Sequence, residues 1–237
     1  MANQVWLHAY VLHRRPYRET SYLVDVFTQE WGKVSLVAKG VRNSKTDRKS
    51  LLQPFIPVRL QCSGKTDLKN LTQLESNGRL IPLTGNTLFC GLYINELTNR
   101  ILPAGLASEG LFAAYEQALE RLLHPEESVE KILRLYEFSV LEDLGQLADF
   151  ATESASGEPV DAARMYHYIP DVGVVAEQHN SGLASIPGAA LLDLSEQHFS
   201  SGALKVAKYI NRLSLAPLIG DKPLKSRDLF VSRSSAT

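Results

Sequence analysis

The stretch YLVDVFTQEWGKVSLVAK, from Tyr22 to Lys39, decides the fold. It begins with a short run rich in apolar and β-branched residues, turns over Thr28–Gly32, and then alternates, with Val34 and Leu36 on one face. An apolar, β-branched run and an alternating segment on either side of a short turn predict two strands joined as a hairpin. Gly32 can take the positive φ that a hairpin turn often requires.

The segments on either side of this hairpin extend it to a small barrel. Val5–Leu12 alternates in the same way, and Val5, Leu7, Ala9 and Val11 are predicted to lie on one face of a strand. Val58–Cys62 also alternates, and Leu68–Leu74 is a weaker fifth candidate. Five short strands within about 75 residues predict a closed or nearly closed barrel. We therefore predict that residues 1–80 form an OB-fold, a scaffold often used for single-stranded nucleic acids.

The remainder of the chain, residues 81–237, is predicted to be mainly helical. Apolar residues recur at helical spacing in four segments, 87–102, 106–123, 128–144 and 203–216. Residues 145–182 lack this spacing and are predicted to be irregular, with short strand candidates at Met165–Ile169 and Val172–Ala176. The predicted fold class is α+β, with an N-terminal five-stranded OB-fold β-barrel followed by a mainly α-helical C-terminal domain.

Composition places the chain among soluble globular proteins. Of its 237 residues, 44% are hydrophobic and 22% are charged. Its apolar stretches fall far short of the ~20 residues of a transmembrane helix, and its N-terminus does not resemble a secretory signal. Two cysteines are too few for a disulfide framework or a four-thiolate zinc site. We therefore expect a cytoplasmic, reducing location and no contact with a membrane.

The net charge of −1 conceals a strong segregation of charge along the chain. Residues 1–80 carry a net charge of +7, residues 96–196 carry −13, and residues 197–237 carry +5. A basic first segment and a basic tail thus bracket an acidic middle, and the two basic parts are candidates for binding a polyanion. The alternative is that all three blocks are solvated surface.

Basic residues are concentrated in the loop between the third and fourth predicted strands, 40–52, and in the first hairpin. The loop is too polar to bury itself, so we expect it to be flexible, and phosphate attraction needs charge density rather than fixed geometry. Tyr17, among the hairpin arginines, could stack on a base or cap the barrel. The candidate DNA-binding residues of the two groups are Arg14, Arg15, Arg18, Lys39, Arg42, Lys45, Arg48 and Lys49. Those of the basic C-terminal part are Lys205, Lys208, Arg212, Lys222, Lys225 and Arg227.

No catalytic motif is present in the sequence. Residues 63–66, SGKT, end like a phosphate-binding loop, but Arg59 stands where that motif requires a glycine. The six histidines show neither a metalloprotease spacing nor a companion cysteine pair. We therefore predict that the protein is not an enzyme and uses no metal or other cofactor. The alternative of a metal-dependent nuclease would require clustered carboxylates.

Several short strings, in this order and spacing, resemble the RecO family of bacterial recombination mediators, in its proteobacterial branch. The resemblance runs nearly end to end. It rests on Val11-Leu12-His13, Glu19-Thr20-Ser21, Asp25-Val26-Phe27-Thr28, Leu36–Gly40, Leu52-Gln53-Pro54-Phe55, Gly91–Leu97, Ser156–Asp161 and Lys222–Phe230.

The resemblance implies a non-enzymatic role in DNA repair and recombination. RecO proteins bind single- and double-stranded DNA and anneal complementary strands. They act with RecR, and indirectly with RecA and in some systems RecF, on DNA coated by the single-strand-binding protein, SSB. Many relatives also carry a four-cysteine zinc module, but residues 145–182 of this chain contain no cysteine, so we expect packing alone to hold that region.

The resemblance also implies that the acidic tail of SSB binds to the helical domain. A receptor for a tail that ends in a hydrophobic residue and a carboxylate needs an apolar groove with cations at its rim. The candidates are the basic residues within 106–144, namely Arg121, Lys131 and Arg134. The alternative for each is an ion pair with a neighbouring glutamate. A different class altogether is an OB-fold adaptor whose basic loop binds an acidic protein and has no direct role on DNA.

Overall fold

A computed structural model of the protein describes residues 5–42, 48–178 and 181–230. Its N-terminal part contains five strands and one short helix between the third and fourth of them. These are β1 (Leu7–Tyr17), β2 (Ser21–Thr28), β3 (Gly32–Ala38), α1 (Arg48–Leu51), β4 (Val58–Ser63) and β5 (Leu68–Ser76).

The five strands form a closed barrel in the order β1-β2-β3-β5-β4. Strands β1 and β4 close it as an antiparallel pair in which Leu7 lies opposite Leu60. Strands β3 and β5 pair in parallel, with Val37 opposite Asn70. This confirms the predicted five-stranded OB-fold, because the short helix and the parallel β3–β5 pair complete the arrangement expected of that barrel.

The interior of the barrel is filled by the residues that alternation assigned to it. Val24, Leu36 and Leu60 have no exposed surface, and Val34 is 6% exposed. Val5 is the exception, because it lies before the first residue of β1 and is 55% exposed. The prediction that Val5 shares a strand face with Leu7 is wrong, since β1 and its pairing with β4 begin only at Leu7.

The basic segment between β3 and β4 is anchored at both of its ends. Val41 and Leu52 belong to the buried core of the barrel, at 3% and 0% exposure. Residues 48–51 form the helix α1 where a flexible loop was predicted, although none of them is buried, as expected of so polar a stretch. The physical reason is that two apolar residues flank the polar stretch and pack into the mouth of the barrel.

The rest of the chain contains five helices and a small sheet within the described residues. The helices are α2 (Gly85–Ile101), α3 (Glu109–Arg121), α4 (Val129–Asp143), α5 (Gly188–Ser195) and α6 (Ser201–Ile219). The sheet has the order β7-β6-β8 and consists of β6 (Met165–Ile169), β7 (Gly173–Ala176) and β8 (Ile186–Pro187). A 3-10 helix, Lys225–Arg227, follows α6. The predicted α+β class, with a barrel first and a helical region after it, is confirmed.

The chain divides into two compact units. The first comprises residues 1–129 together with 222–237, and the second comprises residues 130–221. In the first unit, α2 and α3 pack on the outside of the barrel. The ring of Phe27 lies 5.2 Å from that of Phe112, and the Asn95 side chain donates a hydrogen bond to the carbonyl of Val11 (3.2 Å) and accepts one from the Tyr115 hydroxyl (2.6 Å).

The second unit holds its irregular part together by hydrogen bonds as well as packing. The Glu153 carboxylate accepts hydrogen bonds from the backbone N–H of Ser156 (3.1 Å) and of Ala176 (3.4 Å), and from the Ser156 hydroxyl. The Ser156 hydroxyl, followed by these backbone donors, lowers the pKa of Glu153 against the opposing effect of burial. Residues 145–182 contain no cysteine, and no three potential metal ligands come together in the described part of the chain.

Candidate nucleic-acid interface

The neighbouring arginines of β1 have different surroundings. Arg14 is half-buried, its Nη1 donates a hydrogen bond to the carbonyl of Lys49 at 3.0 Å, and its guanidinium lies 5.3 Å from the centre of the Tyr22 ring. A cation on a carbonyl of the last turn stabilises a helix, so Arg14 fastens α1 to the barrel. Arg15 is exposed and lies opposite Leu23 on the other face of the hairpin. Arg15 is therefore better placed than Arg14 to contact a ligand.

The turn between β1 and β2 lies beside a groove. Arg18, in this turn, has a positive φ of 51°, and its guanidinium lies 5.2 Å from the centre of the Tyr17 ring. Its carbonyl accepts a hydrogen bond from Nη1 of Arg42 at 3.4 Å. Arg18 and Lys39 line a cavity of about 710 Å³, together with Tyr17 and Val37. The turn, the exit of β3 and the start of the basic segment therefore meet at one end of the barrel.

One row of residues crosses the sheet beside this groove, and two of its members, Val37 and Asn70, line the groove. Arg15 pairs with Leu23, Leu23 with Val37, and Val37 with Asn70, so these four lie side by side on the outer face of β1, β2, β3 and β5. Neither Val37 nor Asn70 was predicted from the sequence to line a groove. Alternation places Val37 on the outer face, but only the parallel pairing of β3 with β5 brings Asn70 beside it.

The cations at this end of the barrel are exposed and retain their charge for a ligand. Among the described residues, none of them forms an ion pair with an acid, and each side chain is exposed: Arg15, Arg18, Lys39, Arg42, Arg48 and Lys49. Arg59 elsewhere on the barrel differs, because it pairs with Glu75 at 2.6 Å. Glu19 lines the same groove as Arg18 and Lys39 but forms no ion pair with either of them, and the exposed cations outnumber it. A cation outside an ion pair keeps its attraction for phosphate, so this cationic end is the strongest candidate surface in the barrel. Lys45, also predicted here, lies outside the described residues.

The C-terminal candidates belong to both units. Lys205, Lys208 and Arg212 are exposed on α6 in the second unit, with Lys208 3.9 Å from Glu130. Lys222, Lys225 and Arg227 are exposed in the part of the chain that belongs to the first unit. The predicted C-terminal set is thus divided between α6 and the 3-10 helix.

A partly buried carboxylate holds the backbone of that 3-10 helix in place. Glu96 of α2 accepts hydrogen bonds from the backbone N–H of Lys225 (3.0 Å) and Ser226 (2.8 Å). Burial acts to raise the pKa of Glu96, but the hydrogen bonds from Ser226 and Lys225, with nearby Arg100, lower it overall. Nη1 of Arg100 also donates to the carbonyl of Lys222 at 2.8 Å. The backbone is held while the Lys225 side chain remains exposed.

The three candidates for the SSB tail have different surroundings. Arg121 belongs to the first unit, and its Nε donates to Glu127 at 2.7 Å. Arg134 of α4 is only 9% exposed and pairs with the buried Glu137 at 2.9 Å. Both arginines therefore form an ion pair with a neighbouring glutamate, which was the alternative to a role in binding the tail.

Two further facts distinguish positions 131 and 134 on α4. The Lys131 ammonium lies 5.4 Å from the centre of the Phe199 ring, so it combines a cation with an adjacent apolar ring. Asn211 of α6 donates to Glu137 at 2.8 Å, whereas Nε of Arg134 has no hydrogen-bond partner among the described residues. Arg134 is therefore part of a buried polar cluster, and Lys131 is the better placed of the two to meet a peptide.

Closed five-stranded barrels of this order, with an exposed cationic end, define the class of OB-fold proteins that handle nucleic acids. Residues 1–78 match the family model described as Recombination protein O N terminal, and residues 82–228 match Recombination protein O C terminal. Together the two models account for nearly the whole chain. The chain therefore belongs to the RecO family of DNA repair proteins.

Individual relatives agree with this assignment. A DNA repair protein RecO from Alteromonas mediterranea is 53% identical over 98% of this chain and 99% of its own length. Its counterpart from Pseudoalteromonas atlantica is 43% identical over 94% of this chain and 93% of its own. The protein of the same name from Haemophilus influenzae is 43% identical, over 93% of each. None of the helices in the described part of the chain is long and apolar enough to cross a membrane.

Proposed function

We propose that this DNA repair protein binds single- and double-stranded DNA through residues 1–80 and anneals complementary strands. The observation that supports this most directly is the cationic end of the barrel, where exposed basic side chains surround a groove. Phosphate contacts carry no sequence information, so such a surface attracts any strand. Annealing requires this lack of preference, because the two strands to be joined differ in sequence but share the same repelling charge.

The second set of cations, on α6 and the 3-10 helix, supplies further phosphate contacts in this proposal. Two separate basic surfaces allow one protein to hold two strands. The protein acts without catalysis, as a mediator with RecR on SSB-coated single strands, and promotes the loading of RecA, with RecF as a further partner in some systems.

Recruitment to coated DNA proceeds through the tail of SSB. Lys131 beside Phe199 offers a cation and an apolar ring, which match a tail that ends in a carboxylate and a hydrophobic residue. Arg134, one turn further along α4, acts by holding that turn through its pair with Glu137. Arg121 contributes only if its contact with Glu127 opens.

Annealing of two complementary labelled oligonucleotides tests the whole proposal. Both strands are first coated with intact SSB or with SSB that lacks its acidic tail. We expect acceleration with intact SSB, and loss of that acceleration with the tailless form. Lys131→Gln should behave on intact SSB as the wild type does on tailless SSB, because it removes the cation and leaves the barrel unchanged.

The opposite results have definite meanings. Annealing that is equally fast with both forms of SSB would exclude recruitment through the tail. Failure to anneal or to bind bare DNA would favour the OB-fold adaptor, whose basic end binds an acidic protein instead.

A further inference from the structure

A second groove lies further along the same outer face of the barrel. It is a cavity of about 690 Å³, lined by the turn between β2 and β3, by the start of β5 and by residues 104–105. Trp31, in that turn, lines the cavity with 38% of its surface exposed. A single exposed aromatic side chain is common on protein surfaces, but Trp31 lies in a groove and offers a flat apolar face to whatever enters it.

The backbone that presents Trp31 is firmly held. Its N–H donates to the Thr28 hydroxyl at 3.0 Å. The next residue, Gly32, has a φ of +65°, and a Cβ there would lie 1.9 Å from the carbonyl oxygen of Leu106. The N–H of Gly105 donates to the carbonyl of Lys33 at 3.0 Å and ties the two segments together. Because this backbone is fixed before a ligand arrives, less conformational entropy is lost when a ligand binds to Trp31.

The two grooves adjoin. Leu68 of β5 lines both of them, and it lies opposite Ser35 in the middle of β3. The seven residues of β3 span about 20 Å at the usual rise of a strand, from Gly32 beside Trp31 to Ala38 before Lys39. An extended strand bound at the cationic end can therefore continue along β3 to the tryptophan.

The charges around Trp31 differ from those at the cationic end. Lys33 and Lys69 line this groove, but so do Glu30 and Asp67. The Lys33 ammonium is also occupied, because it donates to the carbonyl of Asn99 at 2.8 Å. A surface with balanced charge does not select phosphate, whereas an exposed indole ring offers a flat face to an uncharged base.

We propose that Trp31 is a stacking residue for an unpaired base of single-stranded DNA whose phosphates lie at the cationic end of the barrel. This inference rests on the proposed DNA binding and goes beyond it, since it gives the protein a means to distinguish single-stranded from double-stranded DNA. Bases in a duplex are stacked on one another and cannot reach the ring, so only single strands gain this contact.

The first test compares Trp31→Leu with the wild type on labelled DNA. Leucine keeps an apolar side chain but removes the aromatic face, and Trp31→Phe is the matched control that retains an aromatic ring. For an oligonucleotide of about 16 thymidines, near the upper site size of an OB-fold, we expect about a tenfold loss of affinity in Trp31→Leu, within the range for one stacked base. Affinity for a duplex and the slope of log affinity against log salt should stay unchanged, because no phosphate contact is lost.

The second test uses the fluorescence of Trp31 itself. The chain has two tryptophans, so Trp6→Phe leaves Trp31 as the single reporter. Saturating thymidine oligonucleotide should quench its emission, and a duplex at saturation should not. The stacking role is wrong, and the DNA-binding proposal stands, if the oligonucleotide binds without quenching Trp31 and its affinity is unchanged in Trp31→Leu. If neither DNA binds the wild type, the DNA-binding proposal itself fails, and the stacking role with it.

Discussion

Neutralising the cationic end of the barrel should change how salt affects DNA binding, and the size of this change can be worked out from the structure. Arg15, Arg18, Lys39 and Arg42 are exposed, and none has an acidic partner among the described residues. Each phosphate contact on a single strand contributes about −0.7 to the slope of log affinity against log salt. Replacing all four by glutamine should therefore reduce the slope by roughly 3 units, and each single replacement by about 0.7.

The assay is fluorescence anisotropy of a labelled thymidine oligonucleotide between about 50 and 200 mM salt, the range in which such contacts are usually resolved. If the slope falls by about 3 units, the wild type loses about 60-fold more affinity than the variant across this fourfold range of salt. The matched control is Arg59→Gln, since Arg59 is also an exposed barrel cation but is paired with Glu75 at 2.6 Å. An unchanged slope in the fourfold variant, with its thermal unfolding intact, would refute the assignment of this surface.

Three further predictions concern the stability of each unit. Glu96→Gln should lower the unfolding temperature at neutral pH. Folding lowers the pKa of Glu96, so the stability that its carboxylate contributes is complete above the ordinary pKa of 4.5 and is lost as the pH falls. The difference in unfolding temperature between variant and wild type should therefore shrink below pH 4.5. Arg134→Ala should lower the free energy of unfolding, measured in urea, by about 3–5 kcal/mol, because it leaves the buried Glu137 unpaired. Adding Glu137→Leu should recover much of this loss. A loss below about 1 kcal/mol for Arg134→Ala would show that the pair is solvated. Leu36→Ala should cost about 2–5 kcal/mol, whereas Leu80→Ala, at 53% exposure, should have little effect on the same measurement.

The barrel could be predicted from the sequence because the residues that specify each strand lie close together in the chain. Alternation over β3 sets which of its side chains face inward, and Leu36 is fully buried as that pattern requires. The orientation of the basic residues needed more than alternation. The pairing of β1 with β2 shifts between Val11 and His13, so the phase of the strand changes before Arg14 and Arg15. A pattern that ignores this shift places the two arginines on opposite faces but exchanges them.

The remaining parts of the site depend on contacts between distant residues. Leu68 borders both grooves only because β5 runs parallel to β3, a pairing that short-range periodicity does not encode. On α4, Arg134 flanks the apolar stripe and could be expected at the surface. Its burial follows from Glu137 one turn away and from Asn211, which comes from a helix about 75 residues later.

The contact between Glu96 and the 3-10 helix has a consequence for how the protein is made. Leu224 has no exposed surface, and Ser226 binds the Glu96 carboxylate, yet both lie beyond the second unit in the chain. The ribosome therefore has to finish residues 130–221 before the barrel unit receives its last piece. The unit that is synthesised first is in this sense completed last, and a chain that stops short of Leu224 leaves the barrel unit without that buried segment.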